Sequence, residues 1–277
     1  MSLCLVLSVS ECAPVEVSSN TDWNKFNLRG KVKTIEEVSY YVEIKDGKIQ
    51  KGVREENTFS KQITFNEQGQ VLVYNTYEKD GTLYLQNNYE YSEDGILRKI
   101  KKFKKNNRYM GMDTMIYNDK NLLIERVSYS SKDSLNNREV FDYNNEEKIS
   151  KFQLFSFKGE LLTTINYEYD ERNNKKEVTE YYPDGRLNRK RFYQYDELGN
   201  EIGSSWINAD NTFFAKWKYK YDNYKNQVEK LTLNEADKVV VKREYHYEYD
   251  KHHNWVKQIK YENGKPKLIT ELNIIYF

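Results

Sequence analysis

Nonpolar and polar residues alternate along short runs of this chain, and the alternation has the period of a β-strand. In Lys216 to Tyr221, the rings of Trp217, Tyr219 and Tyr221 point one way and three lysines point the other. Glu244 to Tyr249 repeats the arrangement, with Tyr245, Tyr247 and Tyr249 opposite Glu244, His246 and Glu248. Such strands have an aromatic face and a charged, wet face. Other runs are less clean: Val71 to Tyr74 and Leu122 to Ile124 put apolar groups on both faces.

The strands recur with a fixed spacing. The last aromatic of each Tyr-x-Tyr-like run falls at Phe65, Tyr91, Tyr117, Tyr143, Tyr169, Tyr195, Tyr221 and Tyr249, a step of 26 residues that lengthens to 28 only at the end. A second column lies two residues earlier, from Ile63 and Tyr89 to Tyr219 and Tyr247, and every member is apolar or aromatic. A third lies twelve residues after the anchor: Tyr77, Phe103, Tyr129, Phe155, Tyr181, Ile207, Leu233 and Tyr261. Between the columns fall turn formers that tolerate positive φ, such as Asp80-Gly81, Lys158-Gly159, Asp184-Gly185 and Asn263-Gly264. A second, looser set follows each anchor, as in Asp196 to Asn200 and Asp250 to Asn254.

Each repeat is therefore a hairpin, and the expected fold is all-β: about eight 26-residue β-hairpin repeats forming one large curled antiparallel sheet. About sixteen strands at about 4.8 Å spacing would extend about 75 Å, a width that must twist or curl. The tyrosine ladder is expected on the concave side. Residues 42–277 form the repeat domain, 20–41 an N-terminal cap carrying Trp23, Phe26 and Leu28, and 1–19 an export-signal remnant or disordered leader. Leu272 to Phe277 is expected as the last strand.

Composition agrees with strands. Apolar residues make up only 38% of the chain, yet 25 tyrosines raise the aromatics to 15%, too ring-rich for a disordered polyelectrolyte. A net charge of +1, with both signs dispersed, gives no field to attract nucleic acid, and that partner is set aside. Arg98 to Lys105 is the most basic stretch; interrupted by Ile100 and Phe103, it reads as the solvated face of a strand. Both cysteines, Cys4 and Cys12, lie in the first dozen residues, so the body has no disulfide framework. Leu3 to Val9 is apolar, the length of a signal core and too short to span a bilayer, so no transmembrane segment is expected. Export to the periplasm or cell surface follows as an expectation, with Cys12 as a candidate lipidation site.

Tyr167-Glu168-Tyr169-Asp170, then Tyr182-Pro183-Asp184-Gly185-Arg186-Leu187, then Tyr193-Gln194-Tyr195-Asp196-Glu197-Leu198-Gly199-Asn200 resemble the YD repeat of the RHS family. The resemblance covers roughly residues 160–270. It implies a long spiralling β-sheet, displayed on a surface or wrapped around a cargo. Leu28 to Lys33 ahead of such repeats is similar to small exported or lipid-anchored proteins of Bacteroidetes-type bacteria.

Chemistry-bearing groups are sparse. His252-His253 sits in a long turn with no third ligand beside it and reads as a solvated turn, and His246 as a surface residue. No carboxylate pair is specific enough for a glycosidase dyad, and phosphate loops, nucleophile elbows and zinc spacings do not occur. No catalytic residue, metal site or cofactor is expected. Trp206, Trp217 and Trp255 break the repeat consensus late in the chain and, with Tyr193, Tyr195, Tyr219, Tyr221 and Tyr247, are the candidate ligand-binding residues, since tyrosine and tryptophan couple apolar area to a polar tip. The expected function is a non-enzymatic, exported binding or scaffold protein that holds a polysaccharide or protein partner. A structural or toxin-neutralising array acting through the charged face or an edge strand is the alternative, and a glycoside hydrolase a distant third.

Overall fold

The structure, a computed structural model, describes residues 21–56 and 59–277. The leader and its features, the Leu3 to Val9 segment, Cys4 and Cys12 included, lie outside the described residues. A single helical turn, α1 (Asp22–Lys25), is followed by β1 (Val32–Lys45), β2 (Lys48–Arg54), β3 (Ser60–Phe65) and sixteen further strands from β4 (Val71–Tyr77) to β19 (Lys265–Tyr276). The segment 20–41 thus divides into a short cap and the first part of a strand.

All nineteen strands belong to one antiparallel sheet, and the sheet closes. Each strand from β3 to β18 pairs with its successor, β19 pairs with one edge of β1, and the first half of β1 pairs through its other edge with β3. The result is an eighteen-strand barrel, with β2 continuing the line of β3 along the far half of β1 as an overhanging hairpin. The expected open, curled sheet is corrected here. Ile35 stands opposite both Ile274 and Ile63, so the edges that an open sheet would expose satisfy each other's N–H and C=O groups.

The N-terminal segment shows which face is inside. Asp22 Oδ2 accepts from the Val71 amide on β4 at 2.8 Å, and Asn27 Nδ2 donates to the Tyr224 carbonyl, just before β16 (Gln227–Leu233), at 2.9 Å. Through the closure those strands are six spacings apart, an arc of about 29 Å at about 4.8 Å per strand. Five residues with a helical turn advance only about 8 Å. A link that short is a chord on the concave side. It packs on the anchor columns: Trp23 and Phe26 lie 6.5 and 5.8 Å from the Phe65 ring, and Leu28, Val32, Ile35, Ile63, Phe65, Val71 and Leu272 form a buried cluster. The first two columns therefore line the inner wall. The third does not: Phe103 pairs with Gln86, Tyr181 with Thr164 and Leu233 with Lys216, all positions of the outer wall.

Both sets of turns share one construction. In fourteen of them, the residue at the strand end donates its N–H to the carbonyl four positions on and accepts from the N–H three positions on, as in Asn66 with Gln70 and Gly69, or Tyr182 with Arg186 and Gly185; the turns at Asn106-Asn107 and Asn263-Gly264 are built differently. This is the three-residue hairpin loop whose last turn residue adopts positive φ. The residue following the anchor is Asn or Asp in seven of these turns because its Oδ1 accepts two further amides; Asp170 takes those of Arg172 and Asn174 at 2.9 and 2.8 Å. The anchor tyrosine ties neighbouring hairpins together. Tyr91, Tyr117, Tyr143 and Tyr169 each donate to the carbonyl twenty residues back, at 2.7 to 2.8 Å. The 28-residue step has a local cause. Two extra residues lengthen β17 (Val239–Tyr249), so Tyr247 takes the carbonyl role, bonding Gln227 at 2.9 Å, and Tyr249 overshoots to Asp222.

Mid-wall, the inner face is not purely aromatic. Asp113 on β7 (Arg108–Tyr117) has 0% exposure, with Lys102 Nζ from β6 (Leu97–Lys104) at 2.6 Å. From β8 (Leu123–Ser130), Ser128 Oγ lies at 2.7 Å and Arg126 Nε at 3.1 Å. Burial pushes the Asp113 carboxyl up, but Arg126, Lys102 and the hydrogen bonds outweigh it and hold it below the usual range.

The cap is clasped by the turns beneath it. Asn254, 2% exposed, accepts from the Arg29 amide and donates to the Arg29 carbonyl, both at 2.7 Å, and Trp23 Nε1 donates to the Val32 carbonyl at 2.7 Å. Gly69, at φ +81°, lies under the indole: an added Cβ would sit 2.6 Å from Trp23 Cε3 and 2.8 Å from Thr21 Cβ. Gly81 has the same φ within a degree but nothing within 4 Å. Gly81→Ala should thus cost only the left-handed backbone penalty, about 1 kcal/mol. Gly69→Ala adds overpacking, for about 2–3 kcal/mol in all, and should shift Trp23 fluorescence where Gly81→Ala does not. Equal losses in denaturant unfolding would mean the cap does not bear on this turn.

Candidate functional site

The strands β13 (Leu187–Tyr195), β14 (Glu201–Asn208), β15 (Phe213–Tyr221) and β16 form a recess of about 410 Å³ in the inner wall. Register places its groups. Arg191 and Ala215 stand opposite Trp206, Tyr193 and Trp217 opposite Ser204, and Lys230 opposite Tyr219. Adjacent strands thus bring Trp206 and Trp217 edge to face, with centroids 5.2 Å apart, and Phe214 stacks on Trp206 at 5.8 Å. Ser204 Oγ and the Tyr219 hydroxyl lie 3.3 Å apart, and Tyr221, Gln227 and Glu201 complete the lining.

Cations edge the rings. The Arg191 and Arg189 guanidiniums lie 4.1 and 5.4 Å from the Trp206 centroid, and Lys230 Nζ lies 5.5 Å from both Trp217 and Tyr219. Such a surface can stack a flat, partly apolar ligand, hold its hydroxyls with Ser204, Tyr219 and Gln227, and attract negative charge.

Five candidate residues, Tyr193, Trp206, Trp217, Tyr219 and Tyr221, meet in this recess. Tyr195 instead joins Tyr193 in a neighbouring recess of about 520 Å³ nearer the turns, beside Asp170, Arg172, Lys176 and Asp196. Tyr247 borders the first recess through its bond to the Gln227 carbonyl, and its ring lies tilted, 6.1 Å from that of Trp255. Trp255 packs against the core under the N-terminal cap. Arg191, Lys230, Ser204, Gln227 and Glu201 were not singled out from sequence. Reading the register across the Asp196–Asn200 turn would have set Arg191 against Trp206. His252 and His253 lie against Tyr276 and Tyr224, at 4.3 and 4.9 Å, below the cap, and His246 lies on the outer wall 4.7 Å from Tyr261.

The outer wall carries a belt of charge at the level just before the anchor aromatics. Cross-strand pairs Lys101–Glu90, Lys151–Asp142, Lys220–Glu229 and Lys257–Glu248 occupy it. Among the described residues no helix is long and apolar enough to cross a membrane.

No family model and no curated protein matches the chain. Similar solved structures include a porin-like protein from Bacteroides uniformis, at 10% identity over 88% of this chain and 96% of that one, with a TM-score of 0.45. A porin-like protein from Bacteroides vulgatus gives 12% identity over 89% and 98%, with a TM-score of 0.38. The structure of TcdB2-TccC3 gives 12% identity over 84% of this chain and 17% of that one, with a TM-score of 0.33. The resemblance to the YD repeat of the RHS family is corrected accordingly. No family model supports it, and the hairpins close into a barrel where that family implied an open spiral. The Tyr-Asp signature itself has a local cause: the tyrosine hydroxyl ties a hairpin to the previous one, and the aspartate caps its turn.

Proposed function

We propose that this chain is a non-enzymatic, exported binding protein of the cell envelope that holds a saccharide in the inner-wall recess, stacked on Trp206 and Trp217. The observation that carries the reading is the meeting of those two indoles at 5.2 Å in a concave wall otherwise built from a regular repeat. Two indoles at an angle offer a corner for a sugar's apolar face, and the polar groups around them suit its hydroxyls. A hydrolase would need a second carboxylate at the site; Glu201 is the one that lines this recess. The reading as a protein-interaction array working through edge strands loses support from closure, which leaves the overhanging hairpin of β2 and the end of β1 as the edge paired on one side among the described residues. Envelope location rests on the apolar Leu3 to Val9 segment, with Cys12 as the candidate anchor.

Trp206→Ala and Trp217→Ala should each weaken retention on a glycan array about 30-fold, the cost of a buried aromatic anchor, with the far-ultraviolet circular dichroism unchanged. A wild-type protein that retains no glycan removes the proposal.

A further inference from the structure

Resting on the saccharide reading above, we infer that the ligand is acidic, a uronic-acid-bearing saccharide whose carboxylate is received by Arg191. Arg189 and Arg191 share one carboxylate, Glu180, and hold it loosely: the nearest nitrogens are 3.5 and 3.6 Å from Oε2, beyond good hydrogen-bond length. The other Glu180 oxygen is taken by Asn188 Nδ2 at 3.0 Å. Two guanidiniums against one carboxylate leave positive charge in excess at the Trp206 ring. Arg191 Nε is moreover buried with no hydrogen-bond partner. A buried donor without an acceptor is rare in folded proteins, and it leaves this guanidinium under-supplied with acceptors.

The recess is polar along its length. Arg191 and Trp206 mark one end, while Glu201, opposite Tyr195, marks the other, about four strand steps or 13 Å away. A bound chain is thereby oriented, with its carboxylate at Arg191 and uncharged hydroxyls toward Glu201 and Gln227. Lys230 adds a second cation between the ends, over Trp217 and Tyr219. A free inorganic anion would use the guanidinium but not the indoles, and a neutral glycan would use the indoles but leave the excess positive charge at Arg191 unmatched. An acidic sugar uses both.

The test compares one trisaccharide in two forms, a uronic-acid trisaccharide and its methyl ester, by calorimetry on the full chain. The acid should bind about tenfold more tightly, the scale of one charge-assisted contact, and the preference should shrink as salt is added. Arg191→Gln should remove the preference, so that the acid binds no more tightly than the ester, and Arg191→Lys should restore part of it. Equal binding of acid and ester by the wild type overturns the inference but leaves the saccharide reading standing, because ester binding would still depend on Trp206. Binding of neither form overturns both. Tighter binding of a sulfated trisaccharide than of the uronate would reassign the anion and also overturn the inference. Should Arg191→Gln fail to fold, the acid-to-ester ratio of the wild type and its salt dependence decide the matter alone.

Discussion

Asp113→Ala should destabilise the barrel by about 3–5 kcal/mol, at the lower end of that range because Lys102 and Arg126 reach partly into solvent. Domain stabilities are about 5–15 kcal/mol, so the loss is large for one side chain. Its origin is electrostatic. Asp113 is fully buried on the inner wall, and its removal leaves Lys102 and Arg126 facing each other without the carboxylate they share, Glu139 lying 3.7 Å from Arg126. Asp113→Asn, which keeps an acceptor for Ser128, should lose less. A double-mutant cycle with Arg126→Ala should show the second substitution costing less in the absence of Asp113 than in its presence. The pH dependence has a definite sign. Because the folded carboxyl titrates below its ordinary value of 3.8, its stabilisation is present above that pH and fades as pH falls through the lowered folded value. Denaturant unfolding should therefore show wild type and Asp113→Ala separated at neutral pH and converging in acid. Parallel curves across that range would mean that the cluster does not act through charge.

How legible this was in the sequence differs from element to element. The hairpins were legible because each is local: a 26-residue step, an aromatic at the strand end and a turn former after it are one mechanical unit, visible as Tyr169-Asp170 or Tyr195-Asp196. Closure was not, because it depends on one contact between Val32–Tyr41 and Leu268–Tyr276, segments that carry no repeat signature and lie at opposite ends of the chain. The Asp113 cluster was hidden by a parity that the sequence does contain. Ile100 and Phe103 are three residues apart and cannot share a strand face. Ile100 and Lys102 point inward and Phe103 outward, so a run that reads as a solvated lysine face in fact sends a lysine to a buried aspartate. The tryptophans divide by the same logic. Trp206 and Trp217 meet because their strands are neighbours in sequence, whereas Trp255 is covered by a cap contributed from more than two hundred residues away.

The tyrosine ladder makes the barrel sensitive to alkali, and the expected result is cooperative unfolding between about pH 10 and 12. Tyr89, Tyr117, Tyr143, Tyr167, Tyr247 and Tyr276 are each pushed up from 10.0 to about 12, chiefly by burial, with Asp250 reinforcing the effect at Tyr276. Tyr91, Tyr195 and Tyr249 are raised as well. A phenol whose folded pKa lies above its unfolded one stabilises the fold fully below the unfolded value, and that contribution is lost as pH climbs toward the folded value. Several rings acting together make the slope steep. The share of tyrosinate absorbance that belongs to the inner rings should consequently appear in one step coincident with loss of the β-sheet signal, because those rings ionise only when the wall opens. Ionisation of the full tyrosine complement with the sheet still intact would show that the inner rings are freely solvated and that the ladder does not hold the barrel. Tyr117→Phe isolates one rung: it keeps the ring, removes the 2.7 Å bond to the Leu97 carbonyl, should cost about 1 kcal/mol at neutral pH, and should make the alkaline transition less steep.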